Sequence, residues 1–136
     1  VRFIILVLVF FGIGNSVYGE NNESSETTEE VTLPVEYVSL GSDVVVNLQG
    51  RRKYLRTGMQ LMVEGTDNVE KINIHNPAIR HAMIMLFSQF SPDQLLDPGQ
   101  REELRKLALE DIRKSLEKYS SSTGLKDLFF TEFLVH

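Results

Sequence analysis

Residues 76–90 read NPAIRHAMIMLFSQF. Asn76 offers a side-chain oxygen to the first turn of a helix, and Pro77 suits the next position, where a missing N–H costs nothing. Ile79, Ala82, Met83, Leu86 and Phe90 recur at helical spacing, and Ile84, Met85 and Phe87 widen the apolar arc. An arc this wide predicts burial on most sides. Ser91-Pro92 stops the helix, because proline disfavours helical geometry in the residue before it. The ionisable groups of the stretch, Arg80 and His81, stand near its start, where Arg80 is expected to pair with an acid or with carbonyls. The stretch reads as a core helix, so the segments on either side must supply its cover.

Upstream lies a hairpin pattern. A short strand around residues 37–40 is broken by Gly41-Ser42. In residues 43–49, Val44, Val46 and Leu48 alternate with polar neighbours, with Val45 the exception. Gly50 to Lys53 forms a turn. Tyr54–Glu64 alternates more cleanly, with Leu55, Thr57, Met59, Leu61 and Val63 on one face and Arg56, Gln60 and Glu64 on the other. Two half-buried strands joined by a short glycine-containing turn predict an antiparallel pair. Residues 67–75 carry both helical spacing (Val69, Ile72, His75) and alternation (Ile72, Ile74), and read as a short helix.

Downstream, residues 91–98 read as a loop carrying Leu95 and Leu96. Asp97-Pro98 then repeats the cap-then-proline device and opens the longest helix, to about Tyr119. Leu104, Leu107, Ala108, Ile112, Leu116 and Tyr119 form its apolar stripe. Glu102 with Lys106, and Glu110 with Lys114, have the spacing of favourable pairs on the wet side. After a breaker at residues 120–124, residues 125–135 form a last strand. Phe129, Phe133 and Val135 are expected on one face, and Leu128, Phe130 and Leu134 on the other. Apolar residues on both faces predict an inner strand, or a face that meets a partner. The fold expected is α+β: a small antiparallel sheet, made of the N-terminal hairpin and the C-terminal strand, packed on one side against two to three helices.

The first 32 residues differ in kind. Residues 3–13 are an almost unbroken apolar run after Arg2. A spanning helix needs about 20 apolar residues and a signal-peptide core about 7–15. The length favours a cleaved signal peptide over residues 1–19, with a cut after Gly19, above an uncleaved anchor. With further residues upstream, the same run would be half of a membrane span. Residues 20–32 form an acidic linker whose ENNESSETTEE core holds no apolar residue and is expected to stay disordered. Residues 33–136 form the folded domain. Net charge is −5, with 14 basic and 19 acidic residues. Of these, only Arg2 and five glutamates precede position 31, which leaves 13 basic against 14 acidic. A near-neutral domain with an acidic tail argues against a nucleic-acid partner.

Few residues suggest chemistry. The chain has no cysteine, which excludes disulfides, thiolate metal sites and cysteine nucleophiles. His75 and His81 are six apart and cannot share a face at i,i+4, so a metal pair is not expected. The carboxylate pairs Glu102-Glu103 and Glu110-Asp111 lie on the wet side of a helix. No nucleophile elbow and no phosphate-binding glycine loop occurs. No cofactor and no catalytic residue is therefore assigned. Arg51, Arg52, Lys53 and Arg56 form the one basic cluster. It suits lipid headgroups or an acidic partner segment, and equally a turn whose charges discourage edge pairing.

Four stretches carry a resemblance to a known family: KYLRTGMQLMVEG at 53–65, NPAIRHAMIMLFS at 76–88, LLDPGQREELRKLALEDIRKSL at 95–116 and LFFTEFLVH at 128–136. In order, over about residues 37–136, the chain resembles the FliL family of flagellar basal-body-associated proteins. The leader is shorter than the anchor usual in that family. The resemblance implies a periplasmic domain related in fold to the stomatin-type (SPFH) domain, held at the inner membrane. It implies no enzymatic activity. Members assemble as rings around the stator units and support flagellar rotation, swimming, swarming and chemotaxis. The partner implied is the periplasmic linker of the peptidoglycan-binding stator subunit. The alternative is a soluble periplasmic scaffold or ligand-binding domain unrelated to torque.

Overall fold

Tyr54–Glu64, here β3, is the axis of the sheet. The computed structural model describes residues 31–50, 52–120 and 124–136. β3 is flanked on one side by two strands in tandem. β1 (Val35–Ser39) pairs antiparallel with its second half, Val35 opposite Glu64, and β2 (Val44–Asn47) with its first half, Val44 opposite Thr57. The link at residues 41–43 passes the middle of β3, where the Leu40 amide still donates to Met59 O at 3.2 Å. On its other side β3 pairs along its whole length with the last strand, β4 (Leu125–Val135). The expected pairing of residues 43–49 with 54–64 is present, and so is the returning strand.

Alternation on β3 sets the core face. Leu55, Thr57, Met59, Leu61 and Val63 are all buried, as their period of two predicts. Thr57 is the polar side chain among them, and its hydroxyl donates to Glu132 O at 2.8 Å, so it is not stranded. The helices follow as α1 (Thr66–Ile74), α2 (Asn76–Phe87), α3 (Pro92–Leu96) and α4 (Pro98–Glu117). Residues 67–74 are thus helical, and His75 ends the helix. Ile72 from α1, Leu95 from α3, and Leu104, Ala108, Ile112 and Leu116 from α4 close over the sheet.

Several expectations are corrected. The N-cap of α2 is His75, not Asn76, and no side chain caps it; Asn76 and Pro77 already lie inside the first turn. α1 and α2 follow each other with only His75 between them, so the first free amides of α2 meet a backbone carbonyl, with the Ala78 and Ile79 amides donating to His75 O. α2 ends at Phe87, three residues before Phe90. It is covered on one side rather than most: Ile79, Met83, Leu86 and Phe87 are buried, while Met85 is 53% exposed and Ile84 39%. A helix lying on a single sheet layer has only one side to bury. Residues 91–98 hold α3, not a loop alone. The Gln94 side chain reaches back to accept the Ser91 amide at 2.9 Å, as in a capping box. Leu107 faces outward. Glu102 pairs with Arg105, and Lys106 with Glu103, in place of the expected Glu102–Lys106 pair; Glu110–Lys114 forms at 2.8 Å.

β4 is also corrected. Its register against β3 slips by one residue at two places, so that Lys126 and Thr131 have no opposite number. Each bulge reverses the facing of the residues after it. Leu125, Leu128, Phe130, Phe133 and Val135 all turn toward the core, and Phe129 and Leu134 toward solvent. Unbulged alternation would set Phe133 and Val135 on the face opposite Phe130. β4 pairs only with β3 among the described residues, so it is an edge strand and not an inner one.

Candidate functional site

The basic cluster divides. Arg51 lies outside the described residues. Arg52 and Lys53 project from the β2–β3 turn, both exposed, and Arg52 holds a left-handed backbone, φ 57°. Such a conformation crowds the Cβ of an L-residue and disfavours arginine there. Arg56, two residues into β3, is on the solvent face and is engaged. Its Nε donates to Asp43 Oδ2 at 2.8 Å, and its Nη2 stands 3.9 Å from Glu132. The arginine bond holds the Asp43 carboxyl below its usual range, and Asp43 and Glu132 raise Arg56. Among the described residues the turn thus offers two exposed cations, Arg52 and Lys53, while Arg56 is neutralised on the sheet.

A second polar cluster is not legible in the sequence. Arg105, on α4, is bound from three directions. Nε and Nη2 grip both oxygens of Glu102 at 2.8 and 2.6 Å, and Nη1 donates to the Asp127 carboxylate and to Leu128 O. The Glu102 bond and the Asp127 charge keep Arg105 firmly protonated, and Arg105 holds Glu102 below the usual carboxylate range. Arg113 reaches the same strand and donates to Leu125 O and Lys126 O. Arg101, one turn before Arg105, differs. Its guanidinium lies over the Phe133 ring, 4.8 Å from the centroid, and its Nε is sealed from solvent with no hydrogen-bond partner among the described residues. A cleft of about 480 Å³ opens beside it, lined by Pro98, Glu102, Arg105, Asp127 and Phe129 among others. Arg105 and Asp127 are 22 apart in sequence, with no shared motif to announce them.

The histidines are placed apart. His75 stacks on Tyr119, ring centroids 4.3 Å apart. His136 stacks on Tyr54 at 5.0 Å and exchanges two backbone hydrogen bonds with it. His81 is exposed on α2. Among the described residues no three His, Asp or Glu side chains converge as a metal site would need. Arg80 donates to two carbonyls, Leu40 O at 2.8 Å and Ser42 O at 2.6 Å, and so ties α2 to the link between β1 and β2. Among the described residues no helix is long and apolar enough to cross a membrane.

What stays available is surface. Tyr37 (62% exposed) and Phe129 lie together on the solvent face of the sheet, 6.1 Å between rings. Val45, Ile74, Met85 and Leu96 also face solvent. Exposed apolar side chains of this kind gain by being covered. Comparison with known proteins gives the family. The sequence pattern described as flagellar basal body-associated protein FliL matches residues 37–135. A curated relative, the flagellar protein FliL of Aquifex aeolicus (strain VF5), is 28% identical over 82 residues, 60% of this chain. The match spans about half of that relative, 48% of its length.

The domain is therefore of the flagellar basal-body-associated class. The chain belongs to the FliL family.

Proposed function

We propose that this chain works, without catalysis, on the periplasmic side of the bacterial inner membrane at the flagellar basal body. Copies pack side by side into a ring and hold the stator units through the periplasmic linker of the peptidoglycan-binding subunit. The protein thereby supports rotation, swimming, swarming and chemotaxis. Family membership over residues 37–135 is the observation that carries the reading. Apolar side chains left in solvent on the sheet and on α2 support it, since such groups gain by being covered. Residues 1–19, outside the described residues, act as a signal peptide, cleaved rather than retained, residues 20–32 as an acidic tether, and residues 33–136 as the stomatin-like docking domain. Arg51, Arg52 and Lys53 give the domain a basic point for headgroups or an acidic partner segment, with Arg56 behind them.

The test joins a pull-down to physiology. The tagged full chain should retain the stator subunits from crosslinked cells, and a deletion strain should lose motor torque. A deletion strain of unchanged torque and swarming, with no stator retained, would refute the proposal. Mass spectrometry of the native protein should find its first residue at Glu20.

A further inference from the structure

The two long sides of β4 have different fates. Toward β3 every residue from Leu125 to Val135 lies in the ladder or at one of its bulges. On the opposite side, the first half of the strand is closed by α4. Arg113 occupies the carbonyls of Leu125 and Lys126, Arg105 occupies that of Leu128, and the Asp127 carboxylate takes the Leu128 amide at 2.8 Å. The second half has no such cover. Tyr54 and His136 exchange both backbone bonds, so alternation along an antiparallel ladder turns the amides and carbonyls of Phe133 and Val135 away from β3. No strand or side-chain cap meets them among the described residues.

The far side of the sheet offers less. β1 and β2 are 5 and 4 residues long, and the link between them is tied down by Arg80. The open half of β4 is thus the best template for an added strand. The side chain beside it is Arg101, stacked on Phe133 with a buried and unpartnered donor. Arg101 also forms no ion pair among the described residues, so its guanidinium charge is left for a carboxylate to match. The other charges facing the cleft are already matched, Arg105 to Glu102 and Asp127.

We propose that the open half of β4 takes an extended segment of a partner protein as an added strand, with an Asp or Glu side chain of that segment meeting the Arg101 guanidinium. Backbone pairing along residues 133–135 supplies the hold, and Arg101 supplies the choice of an acidic over a neutral sequence. The proposal concerns the mode of docking and holds whether or not the partner is the stator, so it is tested apart from the motor.

The test uses the full chain and a fluorescein-labelled peptide of about ten residues, alternating Thr and Val, with glutamate at the central polar positions. A glutamine counterpart is the control. Anisotropy should show the glutamate peptide binding roughly tenfold tighter, the scale of one charge-assisted hydrogen bond. Arg101→Gln should bring the two peptides within about twofold of each other. Bound peptide should slow hydrogen exchange at the Phe133 and Val135 amides. Val135→Pro removes an amide that β3 does not use, and should abolish binding with the circular dichroism unchanged. Should that variant misfold, methylating alternate amides of the peptide makes the same cut from the other side. Equal affinity of the two peptides for the native chain, exchange protection elsewhere, or undiminished binding of the methylated peptide would overturn the proposal. So would sedimentation showing that a second copy already occupies this edge and is released by Arg101→Gln.

Discussion

Gly58 on β3 lies against Thr131, the second bulge residue of β4, so closely that a Cβ on the glycine would stand 2.6 Å from Thr131 Oγ1. The same Cβ would stand 3.0 Å from Asp43 Oδ1 of the neighbouring row. The glycine thus lets the bulge side chain and the Asp43–Arg56 pair share the centre of the solvent face. Gly58→Ala should cost about 1–3 kcal/mol, as overpacking does. Thr131→Ala, added to it, should restore more than half. Urea melts of the four chains of this double-mutant cycle check the coupling; strict additivity would disprove the contact.

Gly124 is more constrained. It has φ 60°, its carbonyl accepts the Glu64 amide at 2.9 Å, and a Cβ there would fall 2.2 Å from Glu64 O, a backbone atom that cannot step aside. Gly124→Ala should therefore cost more than Gly58→Ala, on the order of 3 kcal/mol. Thermal unfolding of the two variants ranks them, and the reverse order would count against this account of the β4 entry.

Arg52 stands in a conformation that glycine would accept more readily. Arg52→Gly should leave stability unchanged or raise it by up to about 1 kcal/mol, relief of backbone strain being partly offset by chain entropy. If the charge serves docking, the same variant should bind anionic vesicles or acidic partner segments less well. A gain in stability together with a loss of binding separates the two roles. A loss of stability would show that the side chain supports the fold.

α2 gives the sharpest contrast between neighbours. Phe87→Ala should cost about 3–5 kcal/mol, since the ring is fully buried and packs near Phe130. Met85→Ala, two residues earlier, should shift stability by no more than about 0.5 kcal/mol. Denaturant midpoints measure both. A large loss at Met85 in the isolated protein would mean that this face is covered after all.

Acid should loosen the molecule through its arginine and lysine pairs. Asp43, Glu102 and Glu110 are held below their ordinary values of 3.8, 4.5 and 4.5 by hydrogen bonds from Arg56, Arg105 and Lys114. A depressed carboxylate contributes stability above its unfolded value and loses it as pH falls through the folded one. Melting temperature should thus hold from neutrality to about pH 5 and decline below about pH 4.5. These groups are exposed, so the decline should be modest and smaller in high salt. Asp43→Asn should shallow the acid limb.

Much of this architecture is legible in the residues themselves. β3 declares itself because a strand with one wet face must alternate, and α4 because Asp97-Pro98 opens it; the Gly99 amide donates to Asp97 Oδ1 at 3.0 Å as that pair of residues implies. Pattern fails where the outcome depends on a distant partner. The bulges at Lys126 and Thr131 are invisible in β4 alone, because a parity change exists only relative to β3. Nor does the apolar arc of α2 reveal that, among the described residues, no second layer covers Ile84 and Met85. Arg105 and Asp127 meet only because α4 lies along the edge of β4. The pairing of Ser91 with Gln94 is readable and marks α3, but proline after serine reads equally as a loop. The basic turn is visible as composition; that Arg56 is engaged is visible only once Asp43 and Glu132 flank it.

The placement of β4, which follows the other described strands and helices in the chain, against the full length of the axial strand sets the order of assembly. Until those residues emerge, one whole flank of β3 has nothing to bind, and early segments cannot lock into a finished domain. A chain built this way acquires its tertiary structure late, once β4 has emerged to close the flank of β3.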